Sequence, residues 1–304
     1  MARVISLALL MCLISGCSDD GQPEVDTTQV PKDGGLLDGV HPDKGKVDRG
    51  KVADKGKPDR APNAIKEKEP NDGKTKTDFQ SISSPLVIKG SIGRPDDIDL
   101  FGLSVKAGQR LKVTVASGGT MKAHLAVFDL ANKLPTAVNA GPGNGAMAEY
   151  YVLKDAATLL IGVRDRRNVG SGSQHVGGPK HTYTLTVAPL KRAPMPITIG
   201  SERKGTLAPA GIVRVFSFSA KKNDKLRLQV RARVLSPSSD MDSRLSLFCA
   251  DQKTWHGTND DAPGTKGDSL LKGSMPFTCT YHAVVENVKL NAAKLDFSLK
   301  ITKE

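Results

Sequence analysis

The chain has 304 residues, a formal net charge of +12, and 38% hydrophobic but only 4% aromatic residues. The positive charge is not gathered into one solid block, and aromatic rings are not interleaved with it, which argues against a nucleic-acid partner. Of the four cysteines none sits beside a histidine at a metal or nucleophile spacing, so the composition gives no support to a cysteine enzyme or a zinc module.

In chain order, Arg3 precedes an apolar run from Val4 to Ile14 that ends in Ser15-Gly16-Cys17. The run is about half of the roughly 20 residues a spanning helix needs, so it reads as a cleaved leader over 1–16 and not as a retained anchor. The small residues before Cys17 resemble a bacterial lipoprotein processing site, which implies a diacylated Cys17 holding the protein to a membrane through lipid, palmitate included. Ser18 resembles the pattern of outer-membrane lipoproteins, and Asp19 keeps the inner membrane open. Residues 17–64 alternate Asp with Lys and Arg among Gly and Pro, a composition that cannot bury enough apolar surface to offset ordering, and read as a disordered tether.

Beyond the tether the pattern is of short, alternating segments closed by Gly, Asn and Asp turns, the signature of all-β sandwiches. Leu86–Gly90, Leu100–Val105 and Arg110–Val115 recur in the same order as Glu202–Leu207, Val213–Ser219 and Lys225–Val234. Prolines between Pro189 and Pro196 remove ladder donors and divide the chain into two tandem antiparallel sandwiches, jelly-roll-like, over 65–189 and 195–304. The short linker predicts that the two touch. His181–Val187 and Leu295–Ile301 read as their closing strands.

Glu67-Lys68-Glu69-Pro70-Asn71-Asp72, followed by Gly93-Arg94-Pro95-Asp96-Asp97-Ile98-Asp99-Leu100-Phe101, resembles the opening of the bacterial pre-peptidase C-terminal domain. That resemblance implies a β-sandwich carried as an accessory on exported proteins, and through the related collagen-binding domains of clostridial collagenases it implies calcium held by Glu67, Glu69, Asn71, Asp96 and Asp99, with Asp72 and Asp97 in reserve. From the residues alone two readings stand side by side. Glu67, Glu69 and Asn71 alternate, so an extended backbone turns their oxygens to one side, as a calcium ion requires. Alternatively, Pro70-Asn71-Asp72 and Pro95-Asp96-Asp97 are turn formers whose side chains bond nearby amides. Asn259-Asp260-Asp261 with Asp268 is a second, weaker cation candidate. The second repeat lacks the Glu-x-Glu-Pro-Asn segment altogether.

Cys249 and Cys279 fall on the core parity of their strands and, in an exported chain, are expected to pair. His175 and His181 share a glycine-rich loop read as exposed, and Gly141-Pro142-Gly143-Asn144-Gly145 reads as a turn. Arg227, Arg231 and Arg233 with Lys225 form a basic stripe, which reads either as a face for an acidic partner or as a solvated sheet face offset by its neighbours, and Trp255 falls in a loop where it either grips a sugar or peptide or packs beneath the loop. No acid, base and nucleophile constellation is present. The chain thus reads as a monomeric, non-enzymatic surface lipoprotein that binds a protein or glycan, or else as an accessory subunit of a separate secreted protease or surface complex.

Overall fold

The structure, a computed structural model, describes residues 64–69, 71, 78–129, 134–138, 144–169, 174–232, 241–264, 267–288 and 295–304. The leader, Cys17, the tether before Ala64, Asp72 and Arg233 lie outside the described residues.

The first repeat contains β1 (Ala64–Lys66), β2 (Gln80–Ile82), β3 (Leu86–Ser91), β4 (Asp99–Val105), β5 (Arg110–Ser117), β6 (Ala123–Asp129), β7 (Leu134–Val138), β8 (Ala146–Tyr151), β9 (Ala156–Asp165) and β10 (Thr182–Pro189). The second contains β11 (Met195–Pro196), β12 (Glu202–Thr206), β13 (Arg214–Ala220), β14 (Lys225–Arg231), β15 (Ser243–Cys249), β16 (Thr254–Asn259), β17 (Ser269–Ser274), β18 (Cys279–Asn287) and β19 (Asp296–Lys303). Among the described residues the one helical element is a 3-10 turn, Arg166–Asn168.

Each repeat is two facing sheets. The first pairs β1-β3-β10-β5-β8 with β2-β4-β9-β6-β7, and the second pairs β12-β19-β14-β17 with β11-β13-β18-β15-β16. Taking β3 as equivalent to β12 and proceeding strand by strand, the two orders are identical, and both are those of a jelly roll. The first repeat has one addition: β1, which pairs in parallel with β3 and brings the Glu67 segment onto the sandwich. Part of the proline-rich divide is itself structured, since Met195–Pro196 adds a short parallel edge to β13, where a missing donor is tolerated.

Alternation in sequence becomes two-sidedness in space. Leu111, Val113 and Val115 of β5, and Leu226, Leu228 and Val230 of β14, are buried, while Lys112, Lys225 and Arg227 face outward. Each fully buried aliphatic side chain contributes about 1.5–3 kcal/mol of transfer free energy, which is what fixes the register of these strands. The turns before β5 and β14 place Gly108 at φ 81° and Asn223 at φ 70°, left-handed conformations that glycine and asparagine adopt most readily. Cys249 at the end of β15 and Cys279 at the start of β18 are joined, with Cα atoms 6.0 Å apart, and both are buried.

The two sandwiches belong to one compact unit. A small shared core forms where Ala107, Tyr151 and Leu153 of the first meet Val213, Val215, Phe248 and Val284 of the second. Polar groups set its geometry: Glu149, 2% exposed, accepts both terminal nitrogens of Arg192 at 3.0 Å and the Val213 amide at 3.3 Å. Tyr151 Oη lies 2.8 Å from His282 Nδ1 in the same seam. Glu149→Ala leaves the Val213 amide without this acceptor and releases the half-exposed Arg192. The expected loss is about 1–3 kcal/mol, read as a lower denaturant midpoint; an unchanged midpoint would assign the docking to the apolar seam alone.

Candidate metal centre and basic face

The acidic segment after β1 folds back against the start of β4. Glu67 N donates to Lys89 O at 3.1 Å, extending the β1–β3 pairing by one residue, and Leu100 N donates to Asn71 O at 2.8 Å, tying the segment to the opposite sheet. Carboxylate oxygens of Glu67, Glu69 and Asp99 then lie within 4.8 Å of one another. Asn71, with no exposed surface, places its side-chain amide 3.0 Å from Glu69 Oε2 and 3.1 Å from Asp99 Oδ1. With its nitrogen toward the acids the amide donates to both; a half-turn puts its oxygen there instead, as a further ligand for a cation.

Tyr183, from β10, completes the group. Its hydroxyl lies 2.8 Å from Glu67 Oε2 and 2.7 Å from Asp99 Oδ2. One hydroxyl hydrogen cannot serve two carboxylates, so a proton on one acid is required to make both contacts favourable. Burial, followed by the charge of Glu67, pushes the Asp99 carboxyl up to about 9; burial likewise raises Glu67, against hydrogen bonds from Tyr183 and Ser91. Tyr183 is itself raised, by burial first and then by the two acids. Gly90 lies directly across from Tyr183 in the β3–β10 register, and a Cβ there would collide with Glu67 Oε2 and the tyrosine ring. Tyr183→Phe removes the shared donor, and the metal-free protein should lose about 1–3 kcal/mol in chemical denaturation. An equal stability would show that water replaces the hydroxyl.

Four of the five expected ligands therefore meet: Glu67, Glu69, Asn71 and Asp99. Asp96 does not join them. Its exposed side chain pairs with Arg94 at 3.1 Å, because residues 94–97 form a turn that points it outward. Asp97 closes that turn by accepting the Gly93 amide at 2.6 Å, so the turn-forming reading holds at this position. In the weaker candidate loop, Asn259 Oδ1 accepts from Leu270 N and Asp268 Oδ1 from Ala232 N, uses that hold strands together. The His181 ring is not exposed but packed beside Thr120 Oγ1 at 3.4 Å and Asp165 Oδ2 at 4.0 Å.

Aligned strand for strand, the second repeat replaces the two central members of the cluster. Arg214 opens β13 where Asp99 opens β4, and Phe297 faces Gly205 as Tyr183 faces Gly90. A guanidinium and a phenyl ring offer a cation no oxygen, so fold and acidic cluster are separable within one chain. Tyr183 was the member that the sequence did not disclose. Its only advance signal was Gly90, an interior strand glycine of the kind that permits close approach.

The basic stripe is part of a wider face. Lys225, Arg227 and Arg231 project from β14, as the core parity of Leu226, Leu228 and Val230 requires. Lys272 lies opposite Arg227 on β17, Lys300 opposite Gln229 on β19, and Lys204 beside Ser298 on β12. Trp255 is not in a loop but on β16, half-buried against the shared seam. Its indole nitrogen donates to Thr258 Oγ1 at 3.0 Å and the Lys154 ammonium sits 3.9 Å from its ring centre, so both its polar tip and one face are engaged within the protein.

No protein-family model matches the chain, and no curated protein matches it. Among solved structures it is similar to the pre-peptidase C-terminal domain of a collagenase from Bacillus anthracis, at 13% identity and a TM-score of 0.29, over 37% of this chain and 99% of that one. It is also similar to PliG of Aeromonas hydrophila, a periplasmic inhibitor of g-type lysozyme, at 16% identity and a TM-score of 0.26, over 37% of this chain and 100% of that one. A third is the N-terminal tandem CBM22 domain of Xyn10C from Paenibacillus barcinonensis, at 10% identity and a TM-score of 0.22, over 71% of this chain and 86% of that one. What the structure itself establishes is an all-β protein of two tandem antiparallel sandwiches.

Proposed function

We propose that the chain is a non-enzymatic, exported binding module whose first sandwich is locked by a calcium ion. The observation that carries this reading is the convergence of Glu67, Glu69, Asn71 and Asp99 from two segments of the chain. Three carboxylates and an amide oxygen match the hard-oxygen preference of calcium, and the remaining positions of a six- to eight-fold shell are open to water. Bound there, the ion would neutralise acids that otherwise hold a proton, and would fix the segment entering from the N-terminus to both sheets. It would do no chemistry. The leader and Cys17 make this an outer-membrane lipoprotein in our reading, and the broad basic face supports a protein or glycan as what it binds. Calcium should raise the melting temperature of the full chain and a chelator should reverse the rise; a melting temperature indifferent to calcium would count against the locked sandwich. Failure to retain any ligand on glycan and extracellular-protein arrays would count against the binding module.

A further inference from the structure

The outer face of β12-β19-β14-β17 is predominantly cationic. Lys204, Lys225, Arg227, Arg231, Lys272 and Lys300 share it, and among the described residues none of the six forms an ion pair with an acid. Acids do border the face, Glu202 opposite Lys300 in the β12–β19 register and Glu304 beside Lys225, but neither comes within ion-pair distance of those cations, and none lies opposite Arg227 or Arg231. Arg227 faces Lys272 directly across β14 and β17, and like charges left opposite one another destabilise a sheet. A charge pattern kept at that cost points to a ligand of opposite sign.

At the centre of the face the cations converge. Arg227, Gln229, Arg231, Lys300 and Thr302 line a depression of about 240 Å³. Both guanidiniums lean on one neutral acceptor, Gln229 Oε1, at 3.5 Å from Arg227 and 3.3 Å from Arg231. Arg231 Nε is buried without a hydrogen-bond partner, and so is the hydroxyl of Ser298, its register neighbour on β19. The two guanidiniums, the Lys300 ammonium and the Thr302 hydroxyl therefore line one small volume from several directions. A carboxylate offers two oxygens in one plane, whereas a sulfate or phosphate ester offers three around a tetrahedral centre and can satisfy donors from every side.

We infer that this depression is an oxyanion subsite, and that the surrounding face binds a linear glycan carrying sulfate or phosphate esters. The inference rests on the reading of the chain as a binding module and names the ligand class for it. Outward residues on a strand repeat about every 6.8 Å and strands lie about 4.8 Å apart, so charges along an extended polyanion meet successive cations over roughly 20 Å from Lys225 to Arg231. Among the described residues of these strands no aromatic side chain projects from the face, so it has no platform for stacked bases, and nucleic acid is disfavoured.

The test is calorimetry of the full chain with a heparin-derived oligosaccharide and a phosphorylated mannan, each compared with its ester-free counterpart, an oligonucleotide and phosphatidylglycerol vesicles. Binding of either esterified glycan that weakens with salt, disappears for the ester-free form and falls at least about tenfold in R227A/R231A supports the inference. R227K/R231K retains the charge without the fork, and an intermediate loss there identifies the subsite. Unchanged thermal melting of both variants confirms that the fold is intact. The inference is overturned if neither esterified glycan binds, if R227A/R231A binds equally well, or if the oligonucleotide or vesicles bind more tightly. A chain that ignores both esterified glycans yet captures another ligand on the arrays removes this inference alone; one that captures nothing removes the binding module as well.

Discussion

In a chelator, Asp99→Asn should melt at a higher temperature than the unaltered protein above pH 7, and it should melt at the same temperature with or without calcium. The reason is the direction of the Asp99 shift. The folded-state value is raised to about 9 against an ordinary 3.8, so between those limits the folded chain keeps a proton that the unfolded chain has released. Stability contributed by that proton is fully present below pH 4 and is lost as pH rises toward 9, with a slope of up to about 1.4 kcal/mol per pH unit. Asparagine has the shape of the protonated acid and never releases a charge into this buried position, so the slope should flatten. The same substitution removes a carboxylate from the calcium set, so the metal no longer compensates at high pH. Melting curves from pH 5 to pH 9, with and without calcium, check both halves. A variant less stable than the unaltered protein at pH 8 without metal would show that Asp99 is ionised in the folded state and held by its neighbours.

Replacing both Cys249 and Cys279 with alanine should be the most damaging change to the second sandwich. The crosslink closes a loop of 30 residues, for which chain entropy gives about 3.5 kcal/mol. For a unit of this size that corresponds to a drop on the order of 10 °C in melting temperature. Both sulfurs are buried, Cys249 with no exposed surface, so the double alanine also leaves unfilled volume beside Leu247 and Tyr281. Differential scanning calorimetry measures the effect. A melting temperature within a degree or two of the unaltered protein would mean that the strand ladder between β15 and β18 holds this end of the sheet without the crosslink.

Much of the architecture was written locally. Alternation at Arg110–Val115 and Lys225–Val234 set two core faces, the Gly108 and Asn223 turns set the hairpins, and parity placed both cysteines inward. Strand ends were less secure, since β14 stops at Arg231. What sequence could not show was distant in the chain. Phe248 follows Leu247 on the outward parity of β15, and only the arrival of Tyr151 from the other sandwich, at 5.3 Å between ring centres, explains its burial. Whether Trp255 grips a ligand or packs could not be read locally, because the seam that absorbs it joins residues about a hundred positions apart. The acid cluster was legible as far as spacing could carry it. Alternation aligned Glu67, Glu69 and Asn71, but whether Asp96 or Asp99 faces them depends on the turn at 94–97, and the role of Tyr183 depends on a strand 116 residues beyond Glu67.

The proposed locking of the first sandwich by calcium is tested most directly by titration calorimetry of the chelator-treated full chain with calcium, beside Asp99→Asn. One calcium bound per chain, with heat abolished in the variant, is the predicted result. No heat up to millimolar calcium, or equal heat from both proteins, would contradict it.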